Sequence, residues 1–160
     1  LGQAPDALLR LAALAGPAVG TRHDALAGRF RLSNAEAERL ARLAFPDRAF
    51  RPDTDERDAR AYIYRFGDQA FRDGVLIAWT TSDAAADDPS WQARFRLPER
   101  WAAPALPVRG ADLLARGLAE GPAVGRVVRA FEDWWIRHDF PSDKLQLAKA
   151  LSDLVKENRN

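Results

Sequence analysis

An all-α fold is what this sequence predicts, and three observations predict it. Apolar residues recur at helical rather than alternating spacing almost throughout the chain. Serine or aspartate stands at the head of two of these runs with glutamate three places on, the pairing that caps a helix start. Proline and glycine then punctuate the runs at their ends. Together these signals predict an elongated multi-helix array that closes with a C-terminal helical hairpin unit.

Taken in order, PDALLRLAALAG is the first helix, with Pro5 suited to a first turn and Gly16 to a stop. A second is expected near His23 to Phe30. A third, LSNAEAERLARLAF, carries Ser33 and Glu36 as a capping box and is ended by Pro46. In DTDERDARAYIYRFG, Asp53 and Glu56 stand in the same capping relation, and Gly67 is the expected stop. FRDGVLIAWTTSD is rich enough in β-branched residues to suit a strand. A helix is expected instead, because no second strand is available to pair with its backbone. The acidic SDAAADDPS is a loop, with Asp88 and Pro89 opening a helix through SWQARFRL.

Pro98, Pro104 and Pro107 predict a short extended passage, which divides a body region of residues 1–103 from a tail region of residues 104–160. In the tail, Gly110 turns the chain into ADLLARGL, where Asp112 places negative charge in the first turn. Gly117 or its neighbour ends that helix, and Gly121-Pro122 starts the next. Gly125, one turn inside, predicts a close approach by another backbone or a ligand, since it costs about 1 kcal/mol against alanine. Val124, Val127, Val128, Phe131, Trp135 and His138 form an apolar stripe along this helix, with Trp134 at its edge. A last amphipathic helix places Leu145, Ala148, Leu151, Leu154 and Val155 in one stripe. Trp79, Trp91 and Trp101 are read as packing residues.

With 160 residues, 47% of them apolar, the chain can bury one substantial core or two small helical ones. Net charge is +1, which does not by itself announce a nucleic-acid partner. Arginine supplies 21 of the 24 basic residues, a usage that fits GC-rich coding better than a binding task. The absence of cysteine excludes disulfides, thiolate metal sites and a cysteine nucleophile. No apolar run approaches the roughly 20 residues of a membrane span, and the start lacks signal-peptide order, so a cytoplasmic protein without a membrane partner is expected. The chain opens inside a helix-like run and contains no methionine, and is read as part of a longer protein.

Catalytic constellations are not found. Asp53-Thr54-Asp55 has the spacing of a two-metal carboxylate pair, but it precedes a helix, where capping explains it. His23 and His138 have no partner at zinc-site spacing, and no serine sits in a nucleophile elbow. Glycines 110, 117, 121 and 125 are too widely spread for a dinucleotide fingerprint. A glycine-led helix start does expose backbone N–H groups that can hold a phosphate, although the same glycines can serve helix packing alone.

The run LPVRGADLLARGLAEGPAVGRVVRAFEDWW resembles the C-terminal signature of bacterial CCA-adding tRNA nucleotidyltransferases and bacterial poly(A) polymerases. That pattern is G-x-D-L, a glycine, then G-P-x-x-G and a helix, here Gly110, Asp112, Leu113, Gly117, Gly121, Pro122 and Gly125. DALLRLAAL and RLSNAEAERLARL also resemble helices of that family's body region, in the same order. The resemblance implies a non-catalytic region that grips tRNA or other structured RNA through its backbone. Mg and nucleoside triphosphates would be held by a head region, with its glycine-serine turn and metal-binding aspartates, that this sequence does not contain. Glu56-Arg57-Asp58-Ala59-Arg60 is only superficially similar to the family's nucleotide-reading element.

The RNA contacts the resemblance implies are Arg109, Gly110, Arg116, Gly121, Gly125, Arg126, Arg129, Lys144 and Lys149. Against this, residues 106–140 hold five acidic residues beside five arginines, so a strongly basic face is not assured. A helical protein-interaction or dimerisation module without RNA affinity, and a helix-hairpin-helix DNA binder, are the alternative readings. The sequence does not choose between CCA addition and poly(A) addition, because nucleotide choice resides in the head.

Overall fold

The structure, a computed structural model, describes residues 6–15, 18–43 and 47–157, and of residues 18–23 the backbone alone. Every regular element among them is helical: α1 Ala7–Ala15, α2 Ala18–Phe30, α3 Asn34–Leu43, α4 Glu56–Thr80, α5 Pro89–Phe95, α6 Leu97–Arg100, α7 Gly110–Leu114, α8 Pro122–Arg137 and α9 Lys144–Glu157. A 3-10 turn, Arg48–Phe50, precedes α4. The chain forms two compact units, residues 1–102 and 103–160.

In the first unit the Ser33/Glu36 capping box forms as the spacing requires. The Glu36 carboxylate accepts from the Ser33 N–H at 2.8 Å and from its hydroxyl at 2.7 Å, and the Ser33 oxygen accepts from the Glu36 N–H at 3.4 Å. Pro5, Gly16 and Pro46, expected to bound the first and third helices, lie outside the described residues. The helix expected near His23 begins earlier, at Ala18.

Two expectations for α4 need correction. Its N-cap is Asp55, whose carboxylate accepts from the Arg57 N–H at 2.9 Å, not Asp53. Asp53 instead pairs with Arg51 at 2.8 Å, and the Thr54 hydroxyl donates to the Arg48 and Arg51 carbonyls. Gly67 does not end the helix. It leaves helical geometry for one residue (φ 84°, ψ 167°), a conformation suited to glycine, and α4 resumes beyond it. The reason is burial: Phe71, Val75 and Trp79 after the kink enter the same core as Tyr62 and Ile63 before it. The Val75–Trp79 stretch is therefore helix, as expected, and not strand.

Around α4 the core is aromatic. Phe50 meets Tyr62 edge to face at 4.8 Å, and Trp79 stacks on Trp91 at 5.9 Å. Both tryptophans are buried, and Trp101 packs against the same cluster, in line with their packing assignment. The Trp79 Nε1 donates to the Ala85 carbonyl at 3.1 Å, which pins the acidic loop. Pro98 does not interrupt the chain as expected, but sits in the first turn of α6, where its missing N–H has no partner to lose.

Polar groups buried in this unit are tied to particular elements. Asp73 of α4 is 1% exposed and accepts from the Arg39 Nε of α3 at 2.5 Å and from the Gln69 side-chain amide at 2.7 Å. Arg39 reaches on to Asp6, ahead of α1, at 2.8 Å. Arg94 of α5, 4% exposed, donates to the Ala49 carbonyl at 3.0 Å and the Thr54 hydroxyl at 2.6 Å. Burial pushes its pKa down, and its bonds stitch the loop before α4 onto α5. These side chains join helices far apart in sequence.

Two caps and one ion pair also carry a pH dependence. The Ser33 hydroxyl holds the Glu36 carboxyl below its ordinary value of 4.5, the Arg100 guanidinium does the same for Glu56, and the Ser90 hydroxyl holds Asp88 below its ordinary 3.8. A depressed folded-state pKa contributes stability that is complete above the unfolded value and disappears as pH falls through the folded one. Thermal melts followed by circular dichroism should give a level Tm from pH 7 to about pH 5 and a falling Tm below about pH 4. A Tm that rises on acidification in that range would contradict these assignments.

Candidate functional site

The glycine-punctuated stretch lies in the second unit, and the backbone explains most of its punctuation. Asp112 caps α7 by accepting from the Arg109 N–H at 2.7 Å. Beyond α7 the Leu118 N–H donates to the Leu113 carbonyl at 3.2 Å and the Gly117 N–H to the Leu114 carbonyl at 2.9 Å. With Gly117 at φ 82° this is a Schellman stop, and Leu113 and Leu118 are both buried beside it. Gly121 at φ 140°, ψ −168° is the N-cap of α8, a conformation open to glycine alone, and Pro122 follows in the first turn. No side chain caps α8, so its first-turn N–H groups are not covered by one.

Close approach occurs at Gly110, not at Gly125. A Cβ on Gly110 would stand 3.3 Å from the Val124 side chain, where α7 meets α8, whereas at Gly125 the nearest neighbour is the flexible end of Arg129 at 3.9 Å. The expected backbone approach to Gly125 is absent among the described residues. Gly125→Ala should therefore stabilise the tail by up to about 1 kcal/mol through helix propensity. Gly121→Ala should destabilise it by about 1–3 kcal/mol through backbone strain. Paired denaturant titrations would check this, and a stabilising Gly121→Ala would refute the assignment of strain.

The apolar stripe of α8 is buried at Val127, Phe131 and Trp135, with Val124 and Val128 half-buried. His138, expected in the stripe, is exposed, because α8 ends there. Asp139 at φ 61° and Phe140 complete a second Schellman stop, in which the Phe140 N–H donates to the Trp135 carbonyl at 2.9 Å. The Phe140 ring meets Trp135 edge to face at 5.1 Å, and the Trp135 Nε1 donates to the Pro141 carbonyl at 2.9 Å. In α9 the buried positions are Leu151 and Val155, with Leu147 and Leu154 half-buried. Leu145 is 81% exposed and Ala148 is exposed as well, so the expected stripe is displaced around the helix.

All six candidate cations are exposed: Arg109, Arg116, Arg126, Arg129, Lys144 and Lys149. Arg116 and Lys144 are brought together, with Asp112, on a groove of about 210 Å³ between α7 and α9 whose floor includes Val108 and Leu151. The Arg116 guanidinium donates to the Asp112 carbonyl at 2.8 Å. Arg126 and Arg129 share the outer face of α8 with Asp133 and Arg137 by helical spacing. Arg109 stands at the N-cap of α7, and Lys149 on α9 does not line the groove. The unit carries nine Lys and Arg against eight Asp and Glu, so cations are grouped locally on a nearly neutral surface.

Elsewhere, the carboxylates of Asp53 and Asp55 have separate partners, the Arg51 guanidinium and the Arg57 N–H. Glu56 pairs with Arg60 and Arg100. His23 falls in α2, and its side chain lies outside the described residues. Among the described residues no group of three or more His, Asp or Glu is placed to hold a metal ion, and no helix is long and apolar enough to cross a membrane. Sequence reasoning missed the Asp73 and Arg94 networks, whose partners are separated by 34 and 45 positions with no local signal. Phe131, Trp134 and His138, read from the sequence as an apolar stripe and its edge, form a series of neighbouring rings at i, i+3, i+7 spacing. No protein-family model, no curated protein and no solved structure matches the chain.

Proposed function

We propose that this chain is a non-catalytic, RNA-gripping helical region of a protein of the bacterial CCA-adding tRNA nucleotidyltransferase and poly(A) polymerase family, acting in the cytoplasm on tRNA or another structured RNA. One observation carries the reading. The residues that make up the G-x-D-L, G, G-P-x-x-G resemblance include those with distinct backbone tasks: Asp112 caps, Gly117 stops, Gly121 and Pro122 start. Around that turn lie the Arg116 and Lys144 groove and the Arg126 and Arg129 face. Shape and phosphates are what such a surface would read, because its cations are exposed. Nucleotide addition, with Mg and nucleoside triphosphate, would belong to a head region.

Titration of the chain with a folded tRNA transcript, an unfolded RNA of equal length and a DNA duplex, at two salt concentrations, tests this. Folded tRNA should bind most tightly. Arg116→Ala/Lys144→Ala and Arg126→Ala/Arg129→Ala should each weaken it and lower the salt slope by about 2, one for each phosphate that is no longer neutralised. No binding of any of these at low salt would overturn the proposal. Gly125→Ala adds a finer test: unchanged RNA affinity would remove Gly125 from the binding surface.

A second reading is favoured by the exposure of Leu114 at 37% and Leu145 at 81%, apolar side chains on α7 and α9 of the same unit. In that case the tail is a protein-interaction or dimerisation module. Concentration-dependent association without RNA affinity, abolished in Leu145→Glu, would establish it over the first reading.

A further inference from the structure

Three rings climb out of the core at the end of α8. Phe131 is fully buried, Trp134 half-buried and His138 exposed. Phe131 and Trp134 have centroids 5.6 Å apart at 36°, and Trp134 and His138 stack at 4.6 Å and 29°. Trp134 is thus held between a core ring and a surface ring. The imidazole is also held in place. Its Nδ1 stands 2.7 Å from the Trp134 carbonyl oxygen. A carbonyl can only accept, so Nδ1 carries a proton, and in the neutral ring Nε2 is then an acceptor.

One face of the imidazole lies on Trp134, and the opposite face belongs to an exposed residue. Core packing does not require a ring at this position, because the stripe already ends at Trp135 and its edge-to-face packing with Phe140. Nor does the helix end require one, since a lysine or arginine satisfies a terminal carbonyl equally well. What an aromatic ring adds there is a flat π-face, preset in orientation, on which another planar ring can stack.

We infer that the Phe131, Trp134 and His138 series is a stacking step for an unpaired nucleobase of the bound RNA, with His138 as the contacting ring. The inference rests on the RNA-binding reading and deepens it. Arg137 is the neighbouring residue, and Arg126 and Arg129 lie on the same helix, so cations for the flanking phosphates are close in sequence to the step. Stacking of this kind accepts any base, and Nε2 adds one acceptor for an exocyclic amine or ring N–H.

The test uses a labelled RNA hairpin with a short single-stranded 3′ tail, a second hairpin whose tail is abasic, and fluorescence anisotropy. The unaltered chain should bind the ordinary tail roughly 10-fold more tightly than the abasic one. His138→Ala should bind both tails at the weaker level, and His138→Phe should recover the preference to within about twofold, as a stacking role demands. Position 138 is exposed, so both variants should fold, which circular dichroism would verify. Equal binding of the two tails by the unaltered chain, or an undiminished preference in His138→Ala, would overturn the stacking step alone and leave RNA binding intact. Binding of neither hairpin at low salt would overturn both readings.

Discussion

Asp73→Ala is expected to destabilise the first unit by about 2–4 kcal/mol, which corresponds to a Tm lower by roughly 10–20 °C for a unit of this size. The carboxylate is 1% exposed and satisfied from both sides, by Arg39 and by Gln69. Removing it leaves a guanidinium and an amide facing a small cavity, and an uncompensated buried charge costs far more than an exposed pair contributes. The loss stays below that of a fully buried pair because Arg39 is partly exposed, at 26%, and keeps its second partner Asp6. A guanidinium stays protonated with or without a partner, so Arg39 cannot discharge to relieve the loss. Asp73→Leu/Arg39→Met should recover much of the stability, since an apolar pair of similar volume has no charge to desolvate. A double variant no more stable than Asp73→Ala would show that the site depends on packing shape and not on charge satisfaction.

Gly74→Ala, at the adjacent position, is expected to cost about 3 kcal/mol, although alanine is the better helix former by about 1 kcal/mol. Gly74 is buried in α4, and a Cβ built there would clash with the edge of the Phe50 ring, at its Cζ. That ring cannot swing away freely, because it is 3% exposed and lies against Tyr62 and Phe71. Accommodation would require moving the 3-10 turn that carries Phe50, and with it the Ala49 carbonyl that Arg94 bonds. Phe50→Leu alone should be mildly destabilising, and Gly74→Ala/Phe50→Leu should cost less than the two single changes added together, by at least about 1 kcal/mol. Additive costs in equilibrium denaturation would place the strain of Gly74→Ala elsewhere than in the Phe50 ring.

These two neighbours illustrate how far the sequence could be read. Helices, caps and stops are set by interactions within four or five residues, and these were legible: the Ser33 and Glu36 box, the Asp88 cap, the Gly117 stop and the Gly121-Pro122 start. The all-α class follows from the apolar spacing, the capping pairs and the proline and glycine stops taken together. Legibility failed where local signals competed. Asp53 and Asp55 are equally good caps by type; Asp55 takes the cap, and Asp53 pairs with Arg51. Gly67 is a helix stop by type, but burial of Phe71 and Val75 draws the chain back into helix.

By itself, then, the sequence determined that the chain is helical, where most helices start and stop, and which basic residues stand near the glycine turn, because each of these rests on near neighbours along the chain. Tertiary structure alone decided what those residues meet. A Cβ on Gly74 would clash with a ring 24 positions away, whereas among the described residues a Cβ on Gly125 would meet the flexible end of an arginine. Asp73 is tied through Arg39 to α3, and Arg39 in turn to Asp6 ahead of α1, while Arg116 and Lys144 line one groove that no spacing rule foresees. The physical reason is the same in each case. Burial, cavity shape and charge pairing depend on which surfaces are brought within a few ångströms, and contacts between residues distant in sequence leave no periodic mark on either segment.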